Sequence, residues 1–542
     1  MDGQAAVDVN NSVQVILPLV IVAGGALLVL LADLLLGERH KGLLAWLAAG
    51  VLVVAMAVAA GQWVRFNGGL RFADRGPESG FAGMVTLDKY GLFFVFLFGA
   101  AGLLTILISD AYLAAREASR GEFYVLLLLV LAGMIGMATS TDLVSLFVSF
   151  ELMSLPTYVL AGYNKRELRS GEASLKYFIN GAFSSAVLVF GFAILYAISG
   201  STTFAEISAG LDKPLLGDGA VVVALVLIAA GFGFKIAAVP FHGWAPDTYQ
   251  GAPTPVTTFM SVGVKAAAFA GLLRLFVAAV MPAWDVWSPI LIILAVVTMI
   301  VGNVLALPQR DLKRLLAYSS IAHAGYLLLG VIAVGSGDTA FGSSAVLVYL
   351  VAYTFMNVGA FGMLVYLRNR RPFRYQLDEL RGLGRSSPAA ALALTLFMLS
   401  LTGIPPTAGF WGKFYLFGAV IDAGYTWLAI LAVIMSAVSA FYYLRVVWFM
   451  YFEQPATDTE AEAPAQASLE TAAETVEDAA PARPERSSSD RGDASSATLL
   501  PEADTGTGAA MLVASLGVLF IGLWPQGLLW AAQGAVQLIS GG

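Results

Sequence analysis

Four ionisable side chains stand where an apolar helix ordinarily carries none. Glu151 lies in "LFVSFELMSLPTYV", nine residues after Asp142, and Lys235 lies in "GFGFKIAAVPFHGW", five residues before Pro240. Lys265 is ten residues into "PVTTFMSVGVKAAAF", and Lys413 follows Pro405 and Pro406 in "TGIPPTAGFWGKFYLF". Each sits roughly 9 to 16 residues into its run, which at about 1.5 Å per residue is near the middle of a bilayer. Ionisable groups at that depth are costly and mark ion or proton pathways. The plainer roles are a fixed ion pair or a side chain snorkelling to the interface, and snorkelling works near helix ends. One acid cannot neutralise three lysines, so at least one lysine must be neutral, hydrated or paired only part of the time. Burial disfavours the charged form of an amine, and an amine so placed can accept and release protons. The chemistry these residues can do is proton transfer.

The prolines beside them supply polarity. Pro240 has no amide hydrogen, and its ring crowds the carbonyl four residues back, near Ile236. Pro405 and Pro406 do the same ahead of Lys413. Carbonyls freed at these breaks can order water or bind an ammonium group, and irregular backbone at such depth is tolerated only against protein or water. Glu172 and Lys176 in "GEASLKYF" form an i,i+4 pair in the orientation that supports a helix, which suits a structural pair or a proton inlet. His242 and His323 titrate near physiological pH and can either relay protons or pack. Asp33, Asp110, Asp142, Asp247, Arg274 and Arg445 lie near helix ends and read as interfacial.

The elements that must position these groups follow from composition. The chain has 542 residues, 58% hydrophobic and 12% charged, where a soluble protein carries about a quarter charged residues. Apolar stretches of about 18 residues or more recur, each able to cross a hydrocarbon core. The expected fold is an all-α polytopic membrane protein. With no cysteine, the chain has no disulfide, thiolate metal site or iron–sulfur ligation. His40, His242 and His323 are too scattered to suggest haem or zinc, and no Walker loop or dinucleotide fingerprint is present. No cofactor or metal is expected in this chain, and no nucleic-acid partner.

About fourteen spans can be drawn, near 13–36, 42–64, 87–112, 122–140, 142–163, 172–199, 219–249, 255–281, 288–307, 313–335, 340–367, 387–421, 426–451 and 508–538. Alternate loops test the count. "GERHKG", "REASRG", "NKRELRSG", "PQRDLKR" and "RNRRPFRYQLDELRGLGR" carry 16 bases on one side, against one lysine opposite. Only the loop around Arg65, Arg71 and Arg75 runs against the trend. The positive-inside rule then puts both termini outside. The acidic N-terminus lacks the basic region and cleavage site of a signal peptide.

Between Glu453 and Asp504 there are 13 acidic and 3 basic residues, leaving 24 acids and 27 bases elsewhere. The net charge of −7 therefore belongs to one Ala-, Pro-, Ser- and Glu-rich segment, expected to be a disordered cytoplasmic linker.

Internal similarity suggests a repeat. "STDLVSLFVSFELMSLPTYVLAG" (140–162) resembles "PQRDLKRLLAYSSIAHAGYLLLG" (308–330), and "FMSVGVKAAAFAGLLRLF" resembles "IMSAVSAFYYLRVVWF". Two five-helix units of odd span number must be inverted, an architecture of ion-translocating transporters with one broken helix per unit. The organisation expected is an N-terminal three-helix segment (1–121), a first repeat (122–281), a second (288–451), the acidic linker (453–507) and a C-terminal transmembrane helix (508–542).

The stretches "FELMSLPTYVLAGY", "SLKYFINGAFSSA", "KIAAVPFHGWAPDTYQGAPTPV", "LKRLLAYSSIAHAGYLLLG" and "LTGIPPTAGFWGKFYLF" resemble the antiporter-like subunits of proton-pumping NADH–quinone oxidoreductase, respiratory complex I. The same core is shared by Mrp-type sodium/proton antiporters and membrane-bound hydrogenases. The resemblance covers nearly the whole chain except the acidic linker and the extreme N-terminus. It looks most like the N-type subunits (chain 2 in mitochondria), with lysine at 413 where M-type subunits have glutamate, and without the long lateral helix of the L-type.

It implies a multi-pass subunit of a bacterial inner membrane, beside M- and L-like subunits, small K-, J- and A-like subunits and lipid. FMN, iron–sulfur clusters and quinone are expected in other subunits of the complex. By resemblance Glu151 and Lys235 form a modulating ion pair, Lys265 is the central relay and Lys413 serves the outer half-channel. The acidic insertion departs from the family's usual short connection. Alternatives are an Mrp-type cation/proton antiporter subunit, disfavoured by one midplane carboxylate among lysines, and a purely structural membrane-arm scaffold.

Overall fold

The computed structural model describes residues 12–37, 40–66, 78–454 (except 117, 119, 213 and 215) and 505–540. Arg71, Arg75 and nearly all of the acidic segment lie outside these residues. Nineteen α-helices of six or more residues run through the described residues. They are α1 (Leu17–Leu35), α2 (Leu43–Phe66), α3 (Lys89–Ala114), α4 (Arg120–Thr139), α5 (Leu143–Ala161), α6 (Leu168–Ser199) and α7 (Phe204–Leu211). The broken region that follows holds α8 (Asp218–Ile236), α9 (Trp244–Gly251), α10 (Thr254–Phe259) and α11 (Lys265–Ala278). Then come α12 (Trp284–Ala306), α13 (Leu312–Ser336), α14 (Thr339–Arg370), α15 (Pro388–Thr402), α16 (Ala408–Asp422) and α17 (Thr426–Tyr451). The chain closes with α18 (Thr505–Leu523) and α19 (Pro525–Ser540). A small antiparallel hairpin, β1 (Glu78–Gly80) with β2 (Val85–Leu87), precedes α3.

Among the described residues thirteen helices, counting 254–278 as one, are long and apolar enough to cross a membrane. The α15–α16 pair makes a fourteenth, interrupted span. The fold is therefore the all-α polytopic membrane architecture expected. One expectation is corrected. The apolar stretch 508–538 is not one helix but two, because Pro525 takes the first position of α19 and Trp524 before it is steered out of helical geometry.

Aspartates start the central helices. Asp88 caps α3 through Gly91 N (2.7 Å), Asp142 caps α5 through Val144 N (2.7 Å), and Asp311 caps α13 through Arg314 N (2.9 Å). Two of these starts are built alike. Leu143 N donates to Thr202 O (2.9 Å) and Phe204 N to Thr141 O (2.9 Å), while Leu312 N donates to Tyr375 O (2.8 Å) and Leu377 N to Arg310 O (2.9 Å). The centre of the molecule is the continuous stretch 254–278 with α13, both buried along their length, and most of α14. Close approach of α12 and α13 depends on glycine. A Cβ on Gly302 would lie 2.6 Å from Ala322 N, and one on Gly325 would lie 2.8 Å from Met299 N.

Arg274 lies near the end of α11, as its position suggested, but it is not exposed there. It is buried, and its guanidinium grips Asp88 with two bonds, Nη1–Oδ2 at 2.7 Å and Nη2–Oδ1 at 2.8 Å. Asp88 thereby both caps α3 and ties it to α11, across 186 residues of sequence. Removing one partner leaves the other charge buried and unpaired, a loss of about 3–5 kcal/mol. Arg274→Met is expected to lower the thermal unfolding midpoint of the detergent-purified protein sharply, and adding Asp88→Asn should recover part of that loss. An unchanged midpoint in Arg274→Met would show that the pair does not hold the fold.

Candidate functional site: a buried chain of lysines

Lys235, Lys265 and Lys413 are all buried, and Glu151 is half-buried. Glu151 (α5) accepts Ser185 Oγ at 2.5 Å, and Lys235 (α8) reaches the Tyr158 hydroxyl at 3.4 Å. The direct ion pair expected between them is not made. Tyr158, two turns after Glu151 on α5, stands at the lysine instead. Lys235 Nζ lies over a box of rings, 4.9 Å from Tyr158, 5.0 Å from Phe150 and 5.3 Å from Tyr177 by centroid. Aromatic faces attract a cation without fixing it as a carboxylate would. Gly181 lets Tyr158 take this position, because a Cβ there would collide with the hydroxyl.

Both proline breaks are present. Helix α8 ends with Ala237 in the left-handed region (φ 60°), and α15 ends with Gly403 in the same region (φ 92°). Carbonyls freed at a break can order water or bind an ammonium group, and here they bind Lys413 and not Lys235. At the first break Phe234 O is taken by Trp244 Nε1 (2.9 Å) and Gly233 O by Ala238 N (2.7 Å), so Lys235 finds no carbonyl there. At the second, Lys413 Nζ donates to Leu401 O (3.1 Å), Thr402 O (2.8 Å) and Ser436 Oγ (2.8 Å). Helical side chains lean toward the N-terminus of their own helix. Lys235 precedes its break and leans away from the freed groups; Lys413 follows its break and leans onto them.

Lys265 donates to Ser320 O (2.5 Å) and Ser320 Oγ (2.6 Å) on α13, and its Nζ lies 5.9 Å from the Tyr353 ring centroid. A π-helical turn, Met260–Val264, immediately precedes it. Such turns interrupt a helix without a proline and are frequent at functional positions.

His323, one turn beyond Ser320, links Lys265 toward Lys413. Its Nδ1 bonds the Tyr349 hydroxyl and its Nε2 the Tyr443 hydroxyl (3.0 Å), which in turn meets Ser319 Oγ. The imidazole centroid is 5.1 Å from Tyr353, the ring beside Lys265, and 5.7 Å from Tyr326, whose ring lies 5.3 Å from Lys413 Nζ. Asn303 extends the cluster, donating to Tyr326 OH (3.1 Å) and accepting from Tyr442 OH (3.0 Å).

The secondary candidates divide. Lys176 pairs with Glu172 (2.7 Å) but also with Asp247 (2.9 Å), which binds Arg314 (2.8 Å). Asp247, read from sequence as interfacial, is thus the hub of a network at the basic end. His242, just past Pro240, has a buried Nδ1 with no hydrogen-bond partner and is not part of the chain of contacts around His323. Sequence reasoning missed the π turn, the tyrosine cluster and a further buried lysine, Lys313, whose Nζ donates to Ala252 O at 2.6 Å. Among the described residues no three His, Cys, Asp or Glu side chains gather as a metal site.

The chain is similar to known proteins over most of its length. Residues 140–439 match the model of the family described as NADH:quinone oxidoreductase/Mrp antiporter, transmembrane. NADH-quinone oxidoreductase subunit N of Trichlorobacter lovleyi is 44% identical over 448 residues, covering 82% of this chain and 88% of its own. Subunit N 1 of Koribacter versatilis is 44% identical over 440 residues, covering 79% and 84%. Among solved structures, a chain of respiratory complex I from Thermus thermophilus with bound aureothin superposes with a TM-score of 0.72 at 32% identity, over 96% of this chain and all of that one. A chain of the Mrp complex from Dietzia sp. DQ12-45-1b shares the fold, with a TM-score of 0.75 at 22% identity over 96% and 98% of the two chains. The chain belongs to the NADH:quinone oxidoreductase/Mrp antiporter transmembrane family, among the N-type subunits of NADH-quinone oxidoreductase.

Proposed function

We propose that this chain is a proton-translocating membrane-arm subunit of an NADH–quinone oxidoreductase, driven by quinone reduction elsewhere in the complex. The chain carries no redox centre of its own in this reading; FMN, iron–sulfur clusters and quinone sit in other subunits. Its neighbours are M- and L-like antiporter subunits, K-, J- and A-like small subunits, and lipid. It lies in a bacterial inner membrane with both termini outside and the acidic linker cytoplasmic.

The observation that carries the proposal is the run of ring contacts from Lys265 through Tyr353, His323 and Tyr326 to Lys413. Lys265 is the central relay and Lys413 the outlet. His323 contacts a hydroxyl on each ring nitrogen, so it can take a proton on one and release it from the other. Glu151 and Lys235 act as the control. With no contact between them, a shift that brings them together stabilises the ammonium at Lys235, and separation releases it. The charge on Lys235 then sets, through space, how readily Lys265 holds a proton. The recurring hydrogen bonds at the starts of α5 and α13, and the two breaks, support two inverted units over 122–281 and 288–451.

Lys265→Ala and Lys413→Ala should each abolish or strongly reduce proton pumping per NADH oxidised, in vesicles where native gels show an assembled complex. Normal pumping by both would make the chain a scaffold. Sodium efflux without quinone reduction would point to a cation antiporter. His323→Phe keeps the ring and removes both nitrogens, so it should cut pumping while leaving assembly intact. If that variant pumps at the wild-type level, protons do not pass through the imidazole.

A further inference from the structure

Lys313 is a buried cation to which the relay above gives no task. It is the second residue of α13, and its Nζ donates to Ala252 O (2.6 Å) and lies 5.2 Å from the Tyr375 ring centroid. Among the described residues it makes no ion pair; Asp311, Glu167, Arg116 and Arg368 act on it only from further away. Seven residues on, two turns along the same face of α13, is Ser320, which holds Lys265. That is roughly 10 Å of helix at about 1.5 Å per residue.

Polar groups lie on both sides of it. Toward the basic end, a cavity of about 440 Å³ is lined by Arg116, Glu122, Asn164, Lys165 and Glu167. Asn164 Nδ2 donates to the Tyr112 hydroxyl (3.1 Å), which reaches the backbone of Thr254. Thr254 Oγ1 donates to the Tyr375 hydroxyl (2.9 Å), on the ring beside Lys313. In the other direction Thr254, Thr258 and Ser261 place buried hydroxyls at successive turns of α10 and the π turn, each bonded to a carbonyl or a tyrosine and not to the next hydroxyl. Thr258 Oγ1 bonds Thr254 O (2.8 Å) and Ser261 Oγ bonds Thr258 O (2.8 Å), one turn short of Lys265.

We propose that Lys313 is the inlet residue through which protons from the basic face reach Lys265. The inference rests on the proton-relay reading above. A proton from the cavity side adds to the neutral amine of Lys313. An N–H bond then breaks as a proton passes, by way of water ordered along these hydroxyls, to the neutral amine of Lys265. Lys313 returns to the amine, Lys265 becomes the ammonium, and nothing is oxidised or reduced. An amine in this position passes a proton but repels a metal cation whenever it is charged, so the inlet is selective as well as conductive.

The plainer role is a fixed positive cap on the carbonyl that follows α9, and arginine separates the two. Lys313→Arg keeps the charge and the donors but cannot release a proton, whereas Lys313→His keeps a titratable group. In inside-out vesicles with the complex assembled, Lys313→Arg should lose the same share of pumping per NADH oxidised as Lys265→Ala, and Lys313→His should retain more. Wild-type pumping by Lys313→Arg, with Lys265→Ala deficient, overturns the inlet and leaves the relay standing. Wild-type pumping by Lys265→Ala instead sinks the relay itself. Should the Lys313 variants not assemble, Thr258→Val removes one of the hydroxyls along which that water is ordered, at nearly constant shape. It is then expected to lose pumping, and normal pumping overturns the inlet.

Discussion

A buried ammonium group held by neutral oxygens and ring faces is the interaction on which this molecule depends. An unpaired charge in an apolar interior is costly, and the usual remedy is a carboxylate with good geometry. The chain can build that remedy, as Arg274 and Asp88 show with two bonds under 3 Å. It withholds it from Lys235, Lys265, Lys313 and Lys413, whose partners are a tyrosine hydroxyl, serines, backbone carbonyls and aromatic rings. A guanidinium locked to a carboxylate is a structural bolt. An ammonium with only neutral partners is nearer balance between its charged and neutral forms, so moving its proton requires little rearrangement.

The fold supplies those partners by bending rules of regular helices at chosen depths. Proline breaks expose carbonyls, a π turn precedes Lys265, and glycines such as Gly302 and Gly325 let α12 and α13 approach closely. Helix α13 is the spine of the arrangement. Lys313 and Ser320 share a face, and His323 and Tyr326 follow at three-residue steps that wind round the helix toward Lys413. Opposite it, α10, the π turn and α14 contribute hydroxyls, and α11 contributes Lys265. Polar groups at such depth call for partners, and most of these have one, the Tyr353 hydroxyl and Asn357 Oδ1 being exceptions.

Much of this was legible in the sequence, for a physical reason. A charge or proline inside an apolar run violates the local pattern, so Glu151, Lys235, Lys265, Lys413, Pro240 and Pro405 announce themselves one residue at a time. Lys313 does not, because it sits in "PQRDLKR" among bases that the positive-inside trend already explains. The tyrosines are ordinary residues of apolar helices until folding brings positions 326, 349, 353 and 443 around one imidazole. Arg274 lies too near a helix end to stand out, and its partner is 186 residues away. The π turn carries no marker residue at all. Interruption of the last apolar stretch was legible in Pro525, but the run on either side is apolar enough to mask it.

The two broken helices illustrate how identical local chemistry yields different roles. Each has a lysine close to a proline break, and sequence distance alone makes them equivalent. Chain direction separates them. Lys413 comes after its break, leans back onto the ends of α15, and is held by two carbonyls and a serine at the negative end of a helix dipole. Lys235 comes before its break, so the freed carbonyls lie behind it and are consumed by Trp244 and the turn itself. It is left among rings, near a carboxylate it does not touch. A lysine so weakly anchored can change partner, and one anchored by three acceptors cannot do so cheaply. The first break therefore leaves its lysine free to change partner and the second holds its lysine in place, and the difference follows from which side of the proline the lysine stands.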